Sequence, residues 1–300
     1  MADAVNVLVT GGTGQVGLAL QRLDWPAGVV ISAPQRADLD LSDPASIAAT
    51  FERTPFKAVI NAAAYTAVDK AENDREAAFA VNATAPGLLA AAAVKAKAVM
   101  LHVSTDYVFD GTKPEPYVEV DPTRPLNVYG ASKLAGEQAV LSACPRALIL
   151  RTSWVLSADR ANFLKTMLRL AADRTELGVV QDQIGCPTSA ADIAEVLGTL
   201  TQRLLTDGKA PTGIYNFVNA GETSWAGLAG EIMSLSEARG GPGATVRGIA
   251  TADFPTPARR PANSRLATEK ITRDFAIQPR PWRVAVAEIV DLLTITGAIA

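Results

Sequence analysis

Tyr129 and Lys133 are the residues of this chain whose types and spacing most directly suggest chemistry. They stand four positions apart in a Tyr-Gly-Ala-Ser-Lys segment, and on a helix this spacing places both side chains on one face. A phenol has a pKa of about 10, and an ammonium group one helical turn away lowers that pKa. The pair therefore predicts a tyrosine that acts as a general acid or base, although the same spacing also occurs by chance on helix surfaces.

Two hydroxyl groups, those of Ser104 and Thr105, follow a predicted strand. In a doubly wound parallel sheet, ligands bind at the carboxyl ends of the strands. We therefore expect these hydroxyls to bind a carbonyl oxygen or to tune Tyr129. The preceding predicted strand is followed by small residues at positions 62–64, which would let a nicotinamide ribose lie close to the backbone.

A glycine-rich turn connects the first predicted strand to the first predicted helix. Its glycines, at positions 11, 12, 14 and 17, fit the Gly-x-Gly-x-x-Gly pattern. Such glycines permit a tight turn, a close approach of the backbone to a pyrophosphate and close packing of helix on strand, while the helix N-terminus attracts the phosphates. A turn without a ligand would show the same glycines, but the βαβ context favours a dinucleotide cofactor. Because no Lys-Ser or Lys-Thr follows, a nucleotide-hydrolysing P-loop is excluded.

The end of the second predicted strand decides which dinucleotide is preferred. The acidic residue that usually binds the NAD ribose is absent there, and Gln35 and Arg36 stand in its place. Without a carboxylate to repel it, a 2′-phosphate could be accepted, and Arg36 could pair with it. The alternative is that Arg36 is a solvated loop charge. We expect both cofactors to be used, NADPH at least as well as NADH, with Asp40 on the adenine side of the pocket.

The elements that must position these residues alternate in the first half of the chain. Short apolar, β-branched segments are predicted as strands, and Ala/Leu-rich segments as helices. The predicted strands are residues 5–10, 29–32, 58–61, 99–103 and 147–152, and the predicted helices are residues 14–23, a helix that opens at Asp43-Pro44, 75–95 and 129–141. This alternation predicts right-handed βαβ units and a Rossmann-type, doubly wound parallel sheet of the α/β class.

The pattern changes after about residue 153. Helical patterns predominate at 162–174, 189–205, 224–235 and 282–293, with proline-rich loops at 255–261 and 279–281. We therefore predict a dinucleotide-binding domain over residues 1–153. Residues 154–300 are predicted to form mainly a smaller C-terminal substrate-binding lobe, with some segments returning to the Rossmann sheet.

Composition and charge exclude several other classes of protein. The 300 residues carry 28 Lys and Arg against 31 Asp and Glu, a formal net charge of −3 without a basic block, which argues against binding nucleic acid. The two cysteines, Cys144 and Cys186, stand too far apart for a Cys-x-x-Cys zinc site or a disulfide framework. We find no signal peptide and no run of about 18 apolar residues, so we expect a cytoplasmic protein that does not bind membranes.

The single histidine, His102, lies within a predicted strand between Leu101 and Val103, which favours a core residue over a catalytic one. With no second histidine and no Gly-x-Ser-x-Gly segment, a Ser-His-Asp hydrolase is excluded. One histidine also argues against a histidine-rich metal site, and we predict no metal. The two cysteines are expected to be small packing residues.

The glycine-rich turn, the Asn-Ala-Ala segment, the Ser-Thr pair and Tyr-x-x-x-Lys, in this order, resemble the extended short-chain dehydrogenase/reductases. Further segments resemble one family within them, the dTDP-4-dehydrorhamnose reductases. These segments are residues 61–72, 104–109, 125–130, 151–155, 162–163 and 257–261. They span nearly the whole chain and both predicted lobes.

The resemblance implies that the chain uses NADPH or NADH to reduce the C4 keto group of dTDP-4-dehydro-L-rhamnose to dTDP-L-rhamnose. It implies that Tyr129 protonates the C4 oxygen, that Lys133 holds the nicotinamide ribose and lowers the pKa of Tyr129, and that Thr105 orients the carbonyl. The implied substrate contacts are Thr105, Asp106 and Trp154. The residues expected to bind the cofactor are Gly11, Gly14, Gln15, Val16, Arg36, Asp40, Leu41, Ala62, Ala63, Ala64, Tyr129 and Lys133.

Arg259 and Arg260 lie between prolines on a stiff loop. Because arginine forms bidentate contacts with phosphate groups, we expect one of them, with Arg260 as the first candidate, to bind the diphosphate of the substrate. The alternative is a pair of surface charges.

Some members of the resembled family hold a metal at a dimer contact through a glutamate in the first helix. That helix contains Gly-Leu-Ala-Leu at 17–20, without a carboxylate, which argues against this metal and this dimer, although the chain could still form a homodimer. Two alternative functions stay open: a reductase or epimerase of another nucleotide-sugar, and a non-catalytic regulatory subunit with the same fold. The presence of Tyr129, Lys133 and Thr105 together favours catalysis, and Trp154 and Asp106 would distinguish the sugar.

Overall fold

The structure is a computed structural model that describes residues 4–297. Its strands are β1 (Val5–Thr10), β2 (Val29–Ser32), β3 (Phe56–Asn61), β4 (Val99–Thr105), β5 (Leu148–Thr152), β6 (Val155–Leu156), β7 (Glu176–Val180), β8 (Ile184–Gly185), β9 (Thr188–Ser189), β10 (Gly213–Asn216), β11 (Thr223–Ser224), β12 (Thr245–Ile249) and β13 (Asn263–Ser264). Its α-helices are α1 (Gln15–Arg22), α2 (Pro44–Arg53), α3 (Val68–Ala71), α4 (Arg75–Phe79), α5 (Ala85–Ala96), α6 (Val128–Ala143), α7 (Phe163–Ala171), α8 (Ala190–Thr206), α9 (Trp225–Glu237), α10 (Glu269–Phe275) and α11 (Trp282–Ile295). A π-helical turn, Ala80–Thr84, joins α4 to α5, and 3-10 helices lie at Asp106–Val108 and Thr251–Asp253.

Six parallel strands form the main sheet, in the order β10-β5-β4-β3-β1-β2. The chain runs from β1 outward to β2 and then crosses back to β3 on the other side of β1, so the direction of winding reverses between β1 and β3. This reversal opens a crevice at the carboxyl ends of the two strands, where doubly wound folds bind ligands. The prediction of a Rossmann-type parallel sheet is confirmed.

Helices cover both faces of the main sheet. On one face α1 packs against α8, and the apolar cluster beneath them includes Val7, Leu20 and Ile193. On the other face α5 packs against α2 and α6, over a cluster that includes Leu89 and Val140. Both faces are therefore buried, as expected for a parallel sheet.

The second half of the chain contributes to the main sheet. β10 forms one edge by pairing with β5, with Tyr215 opposite Leu150. The helices α7, α9 and α11 pack instead on a separate cluster beside the two-stranded sheet β7–β12, around Leu168, Ile232 and Val290. The cluster under α1 and α8 is thus built from both halves of the chain.

Most predicted elements occur at or near their predicted positions. β1 and β2 have the predicted bounds, whereas β4 extends to Thr105, so that Ser104 and Thr105 end the strand instead of following it. The helix predicted at 75–95 is present but is interrupted by the π-helical turn. The helices α3 and α10 and the two-residue strands were not predicted, because segments so short show no periodic pattern.

The helical segment Arg75–Ala96 is, by length and composition, apolar enough to cross a membrane. In this fold it is a core helix. Leu89, Ala90 and Ala93 are fully buried, and α5 lies against β3 and α6.

Candidate active site

A cavity of about 790 Å³ lies at the carboxyl ends of the main-sheet strands. It extends from the glycine-rich turn after β1, past the ends of β3 and β4, to the first turns of α6. All the predicted site residues except Arg260 line it. They are Gly11, Gly14, Gln15, Val16, Arg36, Asp40, Leu41, Ala62, Ala63, Ala64, Thr105, Asp106, Tyr129, Lys133 and Trp154.

The turn after β1 lets the backbone approach a ligand closely. Gly11 has a φ of 72°, and its carbonyl accepts a hydrogen bond from Gly14 N at 2.8 Å. A Cβ atom on Gly17 would lie 2.1 Å from the Gly11 oxygen, which excludes a side chain there. α1 begins at Gln15 without a side-chain cap, so N–H groups at its N-terminus are left for an anion. This cradle fits the pyrophosphate of a dinucleotide cofactor.

The rim of the cavity beyond β2 carries one cation and one carboxylate. The Arg36 side chain is 84% exposed, and its Nε lies 3.9 Å from Asp40 Oδ2. Asp40 Oδ1 accepts hydrogen bonds from the hydroxyl and the backbone N of Ser42, which hold the pKa of Asp40 below its usual value. An exposed ion pair of this kind contributes little to stability, so the Arg36 guanidinium can turn toward a phosphate.

Tyr129 and Lys133 lie in the first turns of α6. Asn127 caps this helix with its side chain and so fixes where the helix begins. The Tyr129 ring packs edge-on against Tyr107, with ring centroids 5.6 Å apart. Lys133 is buried, and its Nζ donates a hydrogen bond to Val103 O at 2.7 Å. The phenol and the ammonium group thus line the same side of the cavity, at the end of β4.

The pKa values of this pair differ from the expectation. Burial raises the pKa of Tyr129 to about 12, and the charge of Asp106 adds to the rise while the Thr105 hydroxyl opposes it. Burial lowers the pKa of Lys133 to about 8. The net pKa of Tyr129 is thus raised and not lowered, because the phenol is desolvated and the ammonium group of Lys133 is bonded to a backbone carbonyl; a lowering contribution from Lys133 stays a prediction.

Thr105 and Asp106 form a hydrogen-bonded unit at the end of β4. Thr105 Oγ1 donates to Asp106 Oδ1 at 3.0 Å and accepts from Tyr107 N at 3.2 Å. Asp106 is buried, and its Oδ2 has no hydrogen-bond partner among residues 4–297. Burial raises the pKa of Asp106 to about 7. The hydroxyls of Thr105 and Ser264 oppose this rise, and a ligand hydroxyl that reached Oδ2 would give that oxygen a partner.

Trp154, two residues after β5, is held between two neighbours. Its φ is 47°, in the left-handed region that residues with side chains rarely adopt. Its ring stacks on Trp225, with centroids 3.5 Å apart and planes 10° apart. A Cβ atom on Gly185 would lie 2.4 Å from the Trp154 ring. Trp225 also lines the cavity but was not predicted, because its only sequence signal is a place directly after the capping Ser224.

Arg260 lines a second cavity, of about 270 Å³. Its guanidinium forms a bidentate ion pair with Asp69, at 3.0 and 2.8 Å, and donates to Thr256 Oγ1 at 2.6 Å. This pair ties the proline-rich loop to α3, whereas the neighbouring Arg259 is exposed. Trp225 lines both cavities, so the two spaces adjoin at its ring.

A buried ion pair lies behind Lys133. Glu137, one turn further along α6, accepts hydrogen bonds at 2.8 and 2.7 Å from Arg151 at the end of β5. The Arg151 guanidinium also lies over the Phe109 ring, 5.0 Å from its centroid. The charge of Glu137 raises the pKa of Lys133 against the effect of burial. The closeness of Glu137 to Lys133 could have been predicted from their spacing of four residues, but the ion pair between Glu137 and Arg151 could not.

The residues set aside as packing residues are in the core. His102 is fully buried with its Nδ1 3.0 Å from Asn61 Nδ2, and burial lowers its pKa well below the usual value, so it is neutral. Cys144 and Cys186 are buried free thiols whose pKa values burial raises, which makes them poor nucleophiles. The predicted core positions are confirmed, but His102 Nε2 has no hydrogen-bond partner among residues 4–297. Within residues 4–297, no group of three or more His, Cys, Asp or Glu could hold a metal ion.

Comparison with known sequences shows similarity along almost the whole chain. The family model described as the RmlD substrate binding domain matches residues 5–295. The dTDP-4-dehydrorhamnose reductase of Sinorhizobium fredii is 45% identical over 294 residues, which cover 98% of this chain and 99% of that protein. The dTDP-4-dehydrorhamnose reductase of Escherichia coli K12 is 42% identical over 300 residues, which cover 98% and 100%.

Comparison with solved structures extends this similarity to the fold. A dTDP-4-dehydrorhamnose reductase from Clostridium acetobutylicum superposes with a TM-score of 0.90 at 36% identity, over 96% of this chain and 99% of that chain. A dTDP-4-dehydrorhamnose reductase from Bacillus anthracis in complex with NADP gives a TM-score of 0.88 at 33% identity, with the same coverage. The likeness therefore includes both halves of the chain.

Proposed function

The chain belongs to the dTDP-4-dehydrorhamnose reductase family, and from this membership we propose that it reduces the C4 keto group of dTDP-4-dehydro-L-rhamnose to give dTDP-L-rhamnose, with NADPH or NADH as reductant. One observation carries the proposal. A single cavity joins a dinucleotide-type glycine cradle, the Tyr129–Lys133 pair and Trp154, so cofactor, acid and sugar can meet in one space. Its volume of about 790 Å³ is within the usual range for such sites.

At the cofactor end of the cavity, each group of residues has one role in binding NAD(P)H. When bound, NAD(P)H supplies the hydride that reduces C4. Gly11, Gly14 and the N-terminus of α1 bind the pyrophosphate, and Gln15 and Val16 continue the groove. Ala62, Ala63 and Ala64 leave room beside the nicotinamide ribose, Lys133 binds the hydroxyls of that ribose, and Asp40, Leu41 and Arg36 surround the adenosine.

Tyr129 donates the proton. A pKa of about 12 keeps the phenol protonated at neutral pH until the C4 oxygen gains negative charge. An alkoxide is a stronger base than a phenolate, so the proton then moves from Tyr129 to the C4 oxygen. The Thr105 hydroxyl orients the carbonyl, and the Lys133 ammonium group favours the phenolate that is left.

The substrate end uses Trp154 and Asp106 for the sugar. The rigid Trp154 ring provides an apolar wall, and Asp106 Oδ2, which lacks a partner among residues 4–297, binds a sugar hydroxyl. The second cavity supports a place for the nucleotide beyond Trp225, where Arg260 would bind the diphosphate. Because Arg260 is paired with Asp69, the diphosphate would have to share or displace that carboxylate.

The experiment that tests this function is an absorbance assay with purified protein, NADPH and dTDP-4-dehydro-L-rhamnose. We expect NADPH to be consumed only when the sugar nucleotide is present, with one dTDP-L-rhamnose formed per NADPH, as measured by chromatography. A UDP-linked 4-keto sugar is the matched control for the nucleotide. Isomerisation without NADPH consumption would indicate an epimerase, and binding without conversion would indicate a regulatory subunit. Either result would contradict the proposal.

We also propose that the reaction takes place in the cytoplasm. The two free, buried thiols of Cys144 and Cys186 support a reducing compartment. A homodimer is compatible with this function, but it would not use a metal held by the first turn of α1, which has no acidic residue. Sedimentation of the purified protein with and without a chelator would test both points about assembly.

A further inference from the structure

The helix Arg75–Ala96 changes its winding at one place, and that place faces the candidate active site. The turn Ala80–Thr84 is π-helical, between the α-helical segments α4 and α5. π-Turns inside α-helices are uncommon and occur mostly at functional sites. Asn82 lies in this turn and is fully buried. Neither the glycine cradle nor the Tyr129–Lys133 pair accounts for a buried amide at this position.

The Asn82 side chain binds the backbone of Tyr65 from both sides. Its Oδ1 accepts a hydrogen bond from Tyr65 N at 2.8 Å, and its Nδ2 donates to Tyr65 O at 3.1 Å. Tyr65 belongs to the loop that follows β3, in which Ala62, Ala63 and Ala64 line the cavity. Ala62 N is bonded to Thr10 O at the strand end of this loop. Asn82 therefore fixes the far end of the loop that we assign to the nicotinamide ribose.

The same amide also reaches α6. Asn82 Nδ2 donates to Ser132 Oγ at 3.0 Å, and Ser132 Oγ in turn donates to Tyr129 O at 2.7 Å. Ser132 is fully buried and lies in sequence between Tyr129 and Lys133. The close approach of the two helices requires glycine at position 136, because a Cβ atom there would lie 2.0 Å from Asn82 O. A continuous chain of hydrogen bonds thus runs from Tyr65 through Asn82 and Ser132 to the backbone of Tyr129.

We propose that Asn82 is a positioning residue that sets the distance between the loop at residues 62–66 and the Tyr129–Lys133 face of α6. The inference rests on the proposed function, because the loop contacts the hydride donor and α6 carries the proton donor. The Asn82 amide is linked by hydrogen bonds to both the loop and α6, so it keeps the hydride donor and the proton donor at a fixed distance from each other. Hydride and proton must reach the same carbonyl group, so a small error in this distance slows the reaction without removing any group that touches the substrate.

The first experiment compares Asn82→Ala and Asn82→Asp with wild type. The aspartate can still accept from Tyr65 N, but as a carboxylate it cannot donate to Tyr65 O or Ser132 Oγ. We expect both variants to lose about 10- to 100-fold in kcat, with the KM for the sugar nucleotide changed by no more than about twofold. The primary isotope effect with NADPH deuterated at the transferred position should rise, because hydride transfer becomes rate-limiting. A merely structural role would not change this isotope effect.

A second readout needs neither substrate nor cofactor. Hydrogen–deuterium exchange of the purified protein without added ligand should become faster in residues 62–66 of both variants, since Tyr65 N loses its acceptor or that acceptor is displaced. A third readout, NADPH affinity measured by fluorescence titration without the sugar nucleotide, should show weaker binding in both variants. These measurements separate the two proposals: if the wild-type protein fails to reduce the sugar, the proposed function is wrong, yet exchange and NADPH affinity still test the role of Asn82.

Ser132→Ala and Ser236→Ala form a matched pair that covers the case in which the Asn82 variants do not fold. Both serines are fully buried on helices, and both hydroxyls donate to a backbone carbonyl at 2.7 Å, Ser132 to Tyr129 O and Ser236 to Pro242 O. We expect similar losses of Tm for the two, but a fall in kcat and a larger isotope effect only for Ser132→Ala. Unchanged kcat and isotope effect in folded Ser132→Ala, or unchanged exchange in residues 62–66 of folded Asn82→Ala, would overturn the inference.

Discussion

Tyr129 carries a phenol that stays protonated at neutral pH because desolvation raises its pKa to about 12, and this proton is the one that the proposed reaction consumes. Tyr129→Phe removes the hydroxyl and keeps the ring against Tyr107. We expect kcat to fall by about 10²- to 10⁴-fold, the usual contribution of a general acid, while NADPH binds as tightly as before. Steady-state rates and fluorescence titration measure the two quantities.

Tyr215→Phe is the matched control for this substitution. Tyr215 is also buried, on β10, and its hydroxyl donates to Asp274 Oδ2 at 2.9 Å, away from the cavity. Its loss should affect stability and leave kcat unchanged. A wild-type kcat in Tyr129→Phe, under conditions where chemistry limits the rate, would remove Tyr129 from its role.

Lys133 is expected to set the alkaline limit of activity. Burial lowers its pKa from the ordinary value of 10.5 to about 8, so the ammonium group is present below about pH 8 and is lost as the pH rises through that value. Because kcat/KM reports the free enzyme, it should fall about tenfold per pH unit above pH 8. In Lys133→Arg the guanidinium stays protonated at these pH values, so the kcat/KM that remains should not fall above pH 8. A wild-type profile that stays flat to about pH 10 would contradict the assignment.

The loop after β2 is expected to determine the choice of cofactor. With Gln35 and the exposed Arg36 in place of an acidic residue, NADPH should be used at least as well as NADH. Gln35→Asp should shift the ratio of kcat/KM values toward NADH by repelling the 2′-phosphate, and Arg36→Ala should reduce any advantage of NADPH. That advantage should also shrink with added salt, which screens an exposed ion pair. A strong preference for NADH that neither substitution moves would show that this loop does not contact the ribose.

At the scale of residues, the sequence alone shows which side chains form the site better than it shows the pKa values of those side chains. Tyr129 and Lys133 could be predicted because a spacing of four is a local property of helices. Their pKa values could not, since these depend on burial by segments far away in sequence. The same holds for Arg260, whose partner Asp69 is 191 residues away along the chain.

At the scale of elements, β8 and α9 together hold Trp154 in its left-handed conformation. Gly185→Ala should displace the Trp154 ring, because the new Cβ atom would lie 2.4 Å from it. We expect sugar-nucleotide binding to weaken by about 1–3 kcal/mol, the usual value of one aromatic contact, with NADPH affinity unchanged. Gly230→Ala on α9, where a Cβ atom meets nothing within 4 Å, is the matched control. Equal losses for both ligands in calorimetric titrations would make Trp154 a structural residue.

The bounds of elements could be predicted where local signals agree. β1 and β2 are apolar and β-branched, and α2 begins where Asp43 caps the helix ahead of a proline, with its side chain bonded to Ala45 N at 2.9 Å. The π-helical turn could not be predicted in this way. Its conformation depends on bonds from Asn82 to Tyr65 and Ser132, which come from two other segments.

At the scale of the whole molecule, the alternation of strands and helices in the first half of the chain predicts the parallel sheet but not its edge strand β10. β10 is short, and it pairs with β5 although residues 153–212 separate the two strands in sequence. A fragment of residues 1–153 would leave β5 as an unpaired edge and the apolar side of α1 uncovered. We expect this fragment to lack a cooperative thermal transition by circular dichroism, whereas the full chain should unfold cooperatively. A cooperative transition in the fragment would show that the first half folds alone.

The late position of α8 and β10 also matters while the protein is being made. A ribosome delivers β1 to β5 first, and α8, which shares one face of the sheet with α1, is missing from the nascent chain until residue 206 has left the exit tunnel. At typical elongation rates of about 5–20 residues per second, this exposure lasts several seconds. The apolar residues of β3, β4 and β5 that cluster with α8 stay exposed during that interval, and completion of α8 buries them.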